Sequence, residues 1–453
     1  MAAVCRHLQG GGPPARGRKG IKRDQHVRKR YALVGTGSRA RLFTEAIAGK
    51  YAETSELAGF CDTNQTRMDY TNRVLGEQFG LKPVPTFKAD RFDEMVCTVK
   101  PDVVIVTSID RTHHEYIIRA MEMGCDVITE KPMTIDAEKC QTIVDAVKRT
   151  GRNLRVAFNY RYAPHNTMVR KLLREGTIGE VYSVHFEWLL DTSHGADYFR
   201  RWHREKKNSG GLLVHKSTHH FDLVNHWLGT QPEIVFAMGD LRFYGHANAS
   251  ARGEPRSYRR STGDPAASGD PFALDLSASE TLRELYLNAE HEDGYLRDQN
   301  VFGEGIDIED TMAVMVRYAN RAVLTYSLNA YMPWEGFNVA FNGSRGRIEL
   351  EVKERSYVNA AGNKSEEGAV AWKSLRLLPM HGAPLQVEIP EGVGGHGGGD
   401  DLMLEDIFGA PKETPDERGA GWRDGAMSIL TGIAANRSIA TGQPVRVADL
   451  VRL

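Results

Sequence analysis

The stretch YALVGTGSRARLFTEAIAGKY, followed by ELAGFCD, narrows the possible folds more than any other part of this chain. Residues 31–35 form a short apolar run of strand type, GTGSRA (Gly35 to Ala40) follows at once, and the next dozen residues carry helical spacing. The second apolar run, residues 56–62, ends in Asp62. Strand, Gly-x-Gly-x-x-Ala turn, helix, strand and acid, in that order, form the fingerprint of a dinucleotide-binding βαβ unit. Each position has a physical task. Gly35 permits the tight turn, Gly37 lets the backbone approach a pyrophosphate, and Ala40 allows close packing of helix on strand. Thr36, Ser38 and Arg39 complete the turn beside the helix N-terminus, where free N–H groups and the dipole favour an anion. Asp62 is placed to accept from a ribose 2′-hydroxyl and to repel a 2′-phosphate, so NAD is the expected cofactor. Arg67, five residues on, is a group that softens that preference.

The alternation continues. PDVVIVTS (101–108), a helix from about His113 to Met123, CDVITEKP (125–132), a helix from Asp136 to Thr150 and NLRVAFNYR (153–161) predict a parallel sheet covered on both faces. After residue 180 the pattern turns into successive long strands: VYSVHFEWLL, PEIVFAMGDLRFY, DTMAVMVRY, RAVLTYSLNAY and GFNVAFNG. These predict a large, mostly antiparallel open sheet with one face free to meet a neighbour. The expected fold class is therefore α/β. A Rossmann domain over 31–155 precedes an α/β substrate-binding and oligomerisation domain over 156–453, within a chain of 453 residues that exceeds one ordinary core.

Residues 1–30 hold nine Lys/Arg against one Asp and have no apolar run, so they read as a disordered basic tail and not as a secretion signal. No window approaches the roughly 18 apolar residues of a membrane span. The cysteines (5, 61, 97, 125 and 140) are odd in number and lack a CxxC pair. That argues against a disulfide framework or zinc ribbon and for a reducing, cytoplasmic setting. With a net charge of −1 and the basic excess confined to the tail, neither a nucleic-acid nor a membrane partner is expected.

The ordered set of motifs resembles the Gfo/Idh/MocA family (glucose–fructose oxidoreductase and inositol dehydrogenase), over nearly everything after residue 31. LVGTGSRA opens it, and VVIVTSIDRTHH supplies Ser108 and His113. GCDVITEKPMT matches the Gly-x-x-Val-x-x-Glu-Lys-Pro signature with Glu130 and Lys131, FNYRYAP resembles the opening of the second domain, and SGGLLVHKSTHHFD resembles Gly-Gly-x-Leu-x-Asp-x-x-x-His. The resemblance implies oxidation or reduction of secondary hydroxyls of sugars and cyclitols with NAD(P). It makes Lys131 and His219 the catalytic pair, puts Ser108, His113 and Glu130 at the cofactor, and implies a homo-oligomer (dimer or tetramer) formed through the open sheet. One departure stands out: His215 occupies the family's aspartate position and Ser217 its glycine position.

In GGLLVHKSTHHFDLVNHW, a helix from His215 onward places 215, 219, 222 and 226 on one face, a set able to ligate metal. The family chemistry favours the metal-free reading, in which His215 and His219 handle protons. His220 and His226 are then packing or solvated residues, with His220 also a candidate for the substrate pocket. Tyr160 and Arg161 follow a strand end and are pocket candidates or, equally, a packed Tyr and a capping Arg. Trp202 and Arg204 precede the GlyGly pair and could grip a sugar. Residues 245–305 form an insertion, either a lid or an oligomer contact. The expected substrate is a sugar, cyclitol or glycoside. Two alternatives stand beside simple oxidoreduction: glycoside cleavage through transient C3 oxidation and elimination, and a non-catalytic NAD-bound regulator.

Overall fold

The computed structural model describes residues 28–362, 364–410 and 417–453. The predicted tail lies outside the described residues up to position 27. Arg30, the last residue assigned to it, instead belongs to the first strand and pairs with Glu56.

The N-terminal unit runs β1 (Lys29–Val34), α1 (Ala40–Ala48), β2 (Ser55–Asp62), α2 (Gln65–Phe79), β3 (Thr86–Lys88), α3 (Phe92–Val99), β4 (Val103–Val106), α4 (His113–Glu122), β5 (Asp126–Thr129), α5 (Ala137–Thr150) and β6 (Leu154–Val156). Its six strands are all parallel, in the order β3-β2-β1-β4-β5-β6. Burial on both faces explains why β1 and β4 read as continuous apolar runs. Strand order reverses between β1 and β4, and open α/β sheets hold their ligands outside the strand ends at such a point. Gly35 is held there at φ 87°; an added Cβ would lie 2.6 Å from the Ser108 backbone.

The second unit starts with α6 (Pro164–Arg174) and β7 (Val181–Asp191). It continues through α7 (His194–Arg200), α8 (Lys206–Ser209), α9 (Leu212–His215), α10 (Ser217–Leu228) and β8 (Pro232–Asp240). The strands β9 (Thr311–Tyr318), β10 (Val323–Met332), β11 (Glu335–Gly343), β12 (Gly346–Glu354), β13 (Val370–Pro379), β14 (Leu385–Val387) and β15 (Val445–Arg446) complete it. They form a nine-stranded sheet in the order β14-β13-β12-β11-β7-β10-β9-β8-β15. Only β7–β10 is parallel. Strict alternation in β9, buried at every second residue, shows one face on the core and one facing outward. The inner face packs on α10 and on the long helix Trp422–Thr441, whose Ala434 and Ala435 are fully buried. The outer face leaves Met238, Met315 and Trp372 exposed. No helix of the described residues is long and apolar enough to cross a membrane.

Candidate active site

A cavity of about 520 Å³ runs from the glycine-rich turn and Asp62, past Ser108 and Glu130, to Lys131, His215 and His219. Its cofactor end comes from the strand ends of the parallel sheet, and its far end from α7, α9 and α10. Gly210 and Gly211 both adopt positive φ (71° and 78°), which turns the chain into α9 and aims His215 at Lys131. The SGG triplet at that place is thus a backbone requirement.

Lys131 Nζ lies 3.3 Å from His215 Nε2, and His215 Nδ1 lies 2.5 Å from Asp110 Oδ2. A neutral imidazole satisfies both contacts: Nδ1–H donates to the carboxylate and Nε2 accepts from the ammonium. Burial, then the charges of Lys131 and Arg201, hold His215 well below the ordinary histidine range, in agreement with that neutral form. The carboxylate missing from the HKSTH segment is therefore supplied by Asp110, from the turn after β4. Sequence reasoning missed Asp110 because its partner lies 105 residues away; its place just past a strand end was the available signal. Burial pulls the Lys131 ammonium down to about 8, against the raising effects of Glu130 and Asp110.

His219 lines the same cavity, and its Nδ1 has no hydrogen-bond partner among the described residues. Tyr160 meets its ring edge-on at 4.9 Å and Phe158 at 5.9 Å, which fixes its plane. Burial, then Lys131 and Lys216, keep this imidazole neutral far into the acid range. Lys216 is a second lysine that the sequence reading passed over. It is buried, sits 4.7 Å from the Trp188 ring and faces Glu335 and Glu354. Burial pushes Glu335 up to about 8 and Glu354 up to about 7. Trp202 lines the cavity too, stacked at 3.5 Å on His203, which in turn touches His215.

Several expected site residues are placed elsewhere. Arg161 is buried in a two-pronged pair with Asp222 (2.6 Å to each oxygen) and also meets Asp424; it joins the second domain together and does not line the cavity. Arg204 spends its guanidinium on the Asn300 and Glu304 carbonyls. His220 stacks on Trp188 at 4.0 Å and bonds the Tyr326 hydroxyl, inside the core. Thr36 turns inward: its N–H and hydroxyl both donate to Asp62, at 2.5 and 2.9 Å. His113 lines the cavity wall with Nδ1 2.8 Å from the Pro132 carbonyl and Nε2 2.9 Å from the Ser108 carbonyl; burial lowers its pKa, and the neutral ring donates its single N–H to one of the two while packing between the turns that carry Lys131 and Ser108. Glu130 accepts from Arg39 at 2.7 Å. Of the four positions on the presumed metal face, Asp222 is consumed by Arg161, and only His215 and His219 reach the cavity.

The geometry meets its match in known proteins. Residues 29–158 fit the model described as "Oxidoreductase family, NAD-binding Rossmann fold", and residues 170–447 the matching C-terminal alpha/beta domain. The chain belongs to the Gfo/Idh/MocA oxidoreductase family. YteT of Bacillus subtilis, whose name places it among the oxidoreductases without a substrate, is 35% identical over 441 residues, 94% of this chain and 99% of that one. The D-glucoside 3-dehydrogenase of Escherichia coli is 28% identical over 202 residues, 44% of this chain and 54% of that protein. Among solved structures, the aldose-aldose oxidoreductase from Caulobacter crescentus superposes with a TM-score of 0.60 at 18% identity, covering 92% of this chain and 99% of that one, a likeness of fold.

Proposed function

We propose that this enzyme oxidises a secondary hydroxyl of a sugar, cyclitol or glycoside with NAD, His219 acting as general base and Lys131 stabilising the oxygen. The observation that carries the reading is the meeting, in one cavity, of a hydrogen-bonded Lys131–His215–Asp110 chain and a neutral His219 whose Nδ1 has no hydrogen-bond partner among the described residues. The relative named for acting on a D-glucoside supports the substrate class.

The residues fit a dinucleotide. Gly35 is packed too closely for any side chain, Asp62 and Arg67 line the groove, and one buried Arg67 nitrogen has no hydrogen-bond partner among the described residues. When bound, the nicotinamide supplies the hydride acceptor. As hydride leaves carbon, the hydroxyl oxygen moves toward a protonated carbonyl, which is so acidic that even a weakly basic imidazole takes its proton. His219 is neutral for that task. Lys131 presents positive charge to the oxygen, and His215, anchored on Asp110, fixes where the ammonium points. Asp62 faces the ribose end of the groove, which underlies the preference for NAD over NADP. The outer sheet face, with its exposed Met238, Met315 and Trp372, is proposed to pair with a second copy.

The test is to make His219→Ala and Lys131→Met. Each is expected to bind NAD like the wild type while turnover on a sugar and cyclitol panel falls by ~10²–10⁴. Turnover near wild type in either variant would move the chemistry elsewhere.

A further inference from the structure

The segment joining β8 to β9 lies on the ribose end of the cofactor groove. Its stretch from Leu276 to Tyr286 shares a small core with Tyr70 of α2. The Tyr286 hydroxyl accepts from Ser38 N at 3.3 Å, on the glycine-rich turn itself. Of the two roles left open by the sequence, lid and oligomer contact, these contacts with the glycine-rich turn and α2 favour the first.

The start of α2 is where its contacts have chemical consequence. A helix N-terminus following the acidic end of β2 offers free N–H groups beside the ribose, a ready place for a 2′-phosphate. Here every one of those donors is taken. Asn64 N donates to Asp62, Gln65 N and Thr66 N both donate to Glu292 at 2.7 Å, and Arg67 N donates to the Asn64 side chain. Lys88 Nζ, at the end of β3, also binds Glu292, at 2.6 Å. The Arg67 guanidinium is held by Asp293 at 2.6 Å and by the Leu285 carbonyl at 2.9 Å, between the Tyr286 and Tyr295 rings; its remaining nitrogen is buried and has no hydrogen-bond partner among the described residues, and the residue lines the groove. Two N–H groups, a lysine and an arginine are the donor set of a phosphate site. Two carboxylates of the insertion fill it.

We propose that Glu292 and Asp293 are specificity-determining residues: they occupy with protein carboxylates the anion cradle at the start of α2 and so exclude a cofactor bearing a 2′-phosphate. The proposal rests on the NAD preference stated above and adds to Asp62 a second, inserted determinant. It also explains the fate of Arg67, the one nearby cation expected to soften the preference, which Asp293 neutralises in place.

The experiment is calorimetric titration of the full chain with NAD and with NADP, for the wild type, Glu292→Gln, Asp293→Asn, Glu292→Gln/Lys88→Met and Asp62→Ala. Glutamine removes the charge at nearly constant shape and keeps an oxygen for one of the two N–H groups, Gln65 or Thr66, while its amide nitrogen replaces the oxygen that the other one used. The expected result is a gain in NADP affinity of about tenfold or more in Glu292→Gln, with NAD affinity within about threefold of wild type. Asp293→Asn is expected to move in the same direction by freeing Arg67. The gain should vanish in Glu292→Gln/Lys88→Met, since Lys88 is the cation released to meet the phosphate. Competition by adenosine 2′,5′-bisphosphate against AMP gives the same readout without the nicotinamide half. NADP affinity unchanged in both single variants, at melting temperatures near wild type, overturns the proposal. If Asp62→Ala alone narrows the NAD–NADP gap, the NAD preference stands and the insertion has no part in it. A wild type that binds NADP as tightly as NAD would refute the preference itself, and this proposal with it.

Discussion

The titration of Lys131 separates the two roles open to it. Burial brings its ammonium down to about 8, while Glu130 and Asp110 oppose the fall and Lys216 and Arg39 add to it. If the charged form is the one that stabilises the oxygen, about nine-tenths of the enzyme is competent at pH 7 and about one-tenth at pH 9. The value of kcat/KM for hydroxyl oxidation, at saturating NAD, is then expected to fall about tenfold over that interval. Below pH 7 the same residue stays charged and His219 stays neutral, so the profile should be flat. Lys131→Arg keeps its charge throughout, and in that variant the alkaline fall should disappear even though the absolute rate drops, because a guanidinium does not superpose on an ammonium. This variant also removes ambiguity from Glu335, which titrates in the same range. Burial raises the Asp110 carboxyl well above the usual carboxylate range while Lys131 opposes the rise, so the two groups titrate together; Asp110→Asn removes the raising effect of Asp110 on Lys131, and the fall should begin at lower pH. The assay is a stopped-time or continuous record at 340 nm in overlapping buffers of constant ionic strength. A kcat/KM that rises through pH 8 to a plateau would refute the reasoning and make neutral Lys131 the base.

Three further results are expected. His215→Asp, although it restores the residue usual at this position, should lose ~10² or more in kcat, because it sets a second carboxylate against Asp110 and breaks the link to Lys131; activity close to wild type would show that the link is dispensable. Arg161→Met should destabilise the fold by about 3–5 kcal/mol in urea titration, since it strands buried Asp222, while KM of the folded protein stays unchanged; a raised KM without loss of stability would return Arg161 to the substrate site. Trp202→Ala should raise the sugar KM with little change in NAD affinity, because Trp202 lines the far end of the cavity; loss of NAD binding instead would place it at the cofactor.

The Rossmann half was legible because its signals are local. A strand buried on both faces reads as an apolar run, and the glycine turn and Asp62 lie within one βαβ unit. The antiparallel half was legible through alternation in β7, β9 and β10. Residues whose roles depend on distant partners were not. Asp110 gains its meaning from His215, and Arg161 loses its place in the pocket to Asp222, 61 residues on. His220 looked like a pocket residue beside His219, but adjacent positions on α10 point apart, and position 220 faces Trp188 in the sheet core. Glu292 carried no motif at all; the packing of the insertion against α2 and the end of β3 gives it its partners.

The central claim is that hydride passes from a carbon of a sugar or cyclitol to a nicotinamide held beside Lys131 and His219. The direct measurement is mass analysis of the cofactor after incubating the full chain with NAD and a panel of carbon-deuterated sugars, cyclitols and glycosides. The expected result is reduced cofactor carrying one deuterium with at least one member of the panel, absent with His219→Ala. Wild-type enzyme that binds NAD yet acquires no deuterium from any member, while still consuming one of them, would contradict the account.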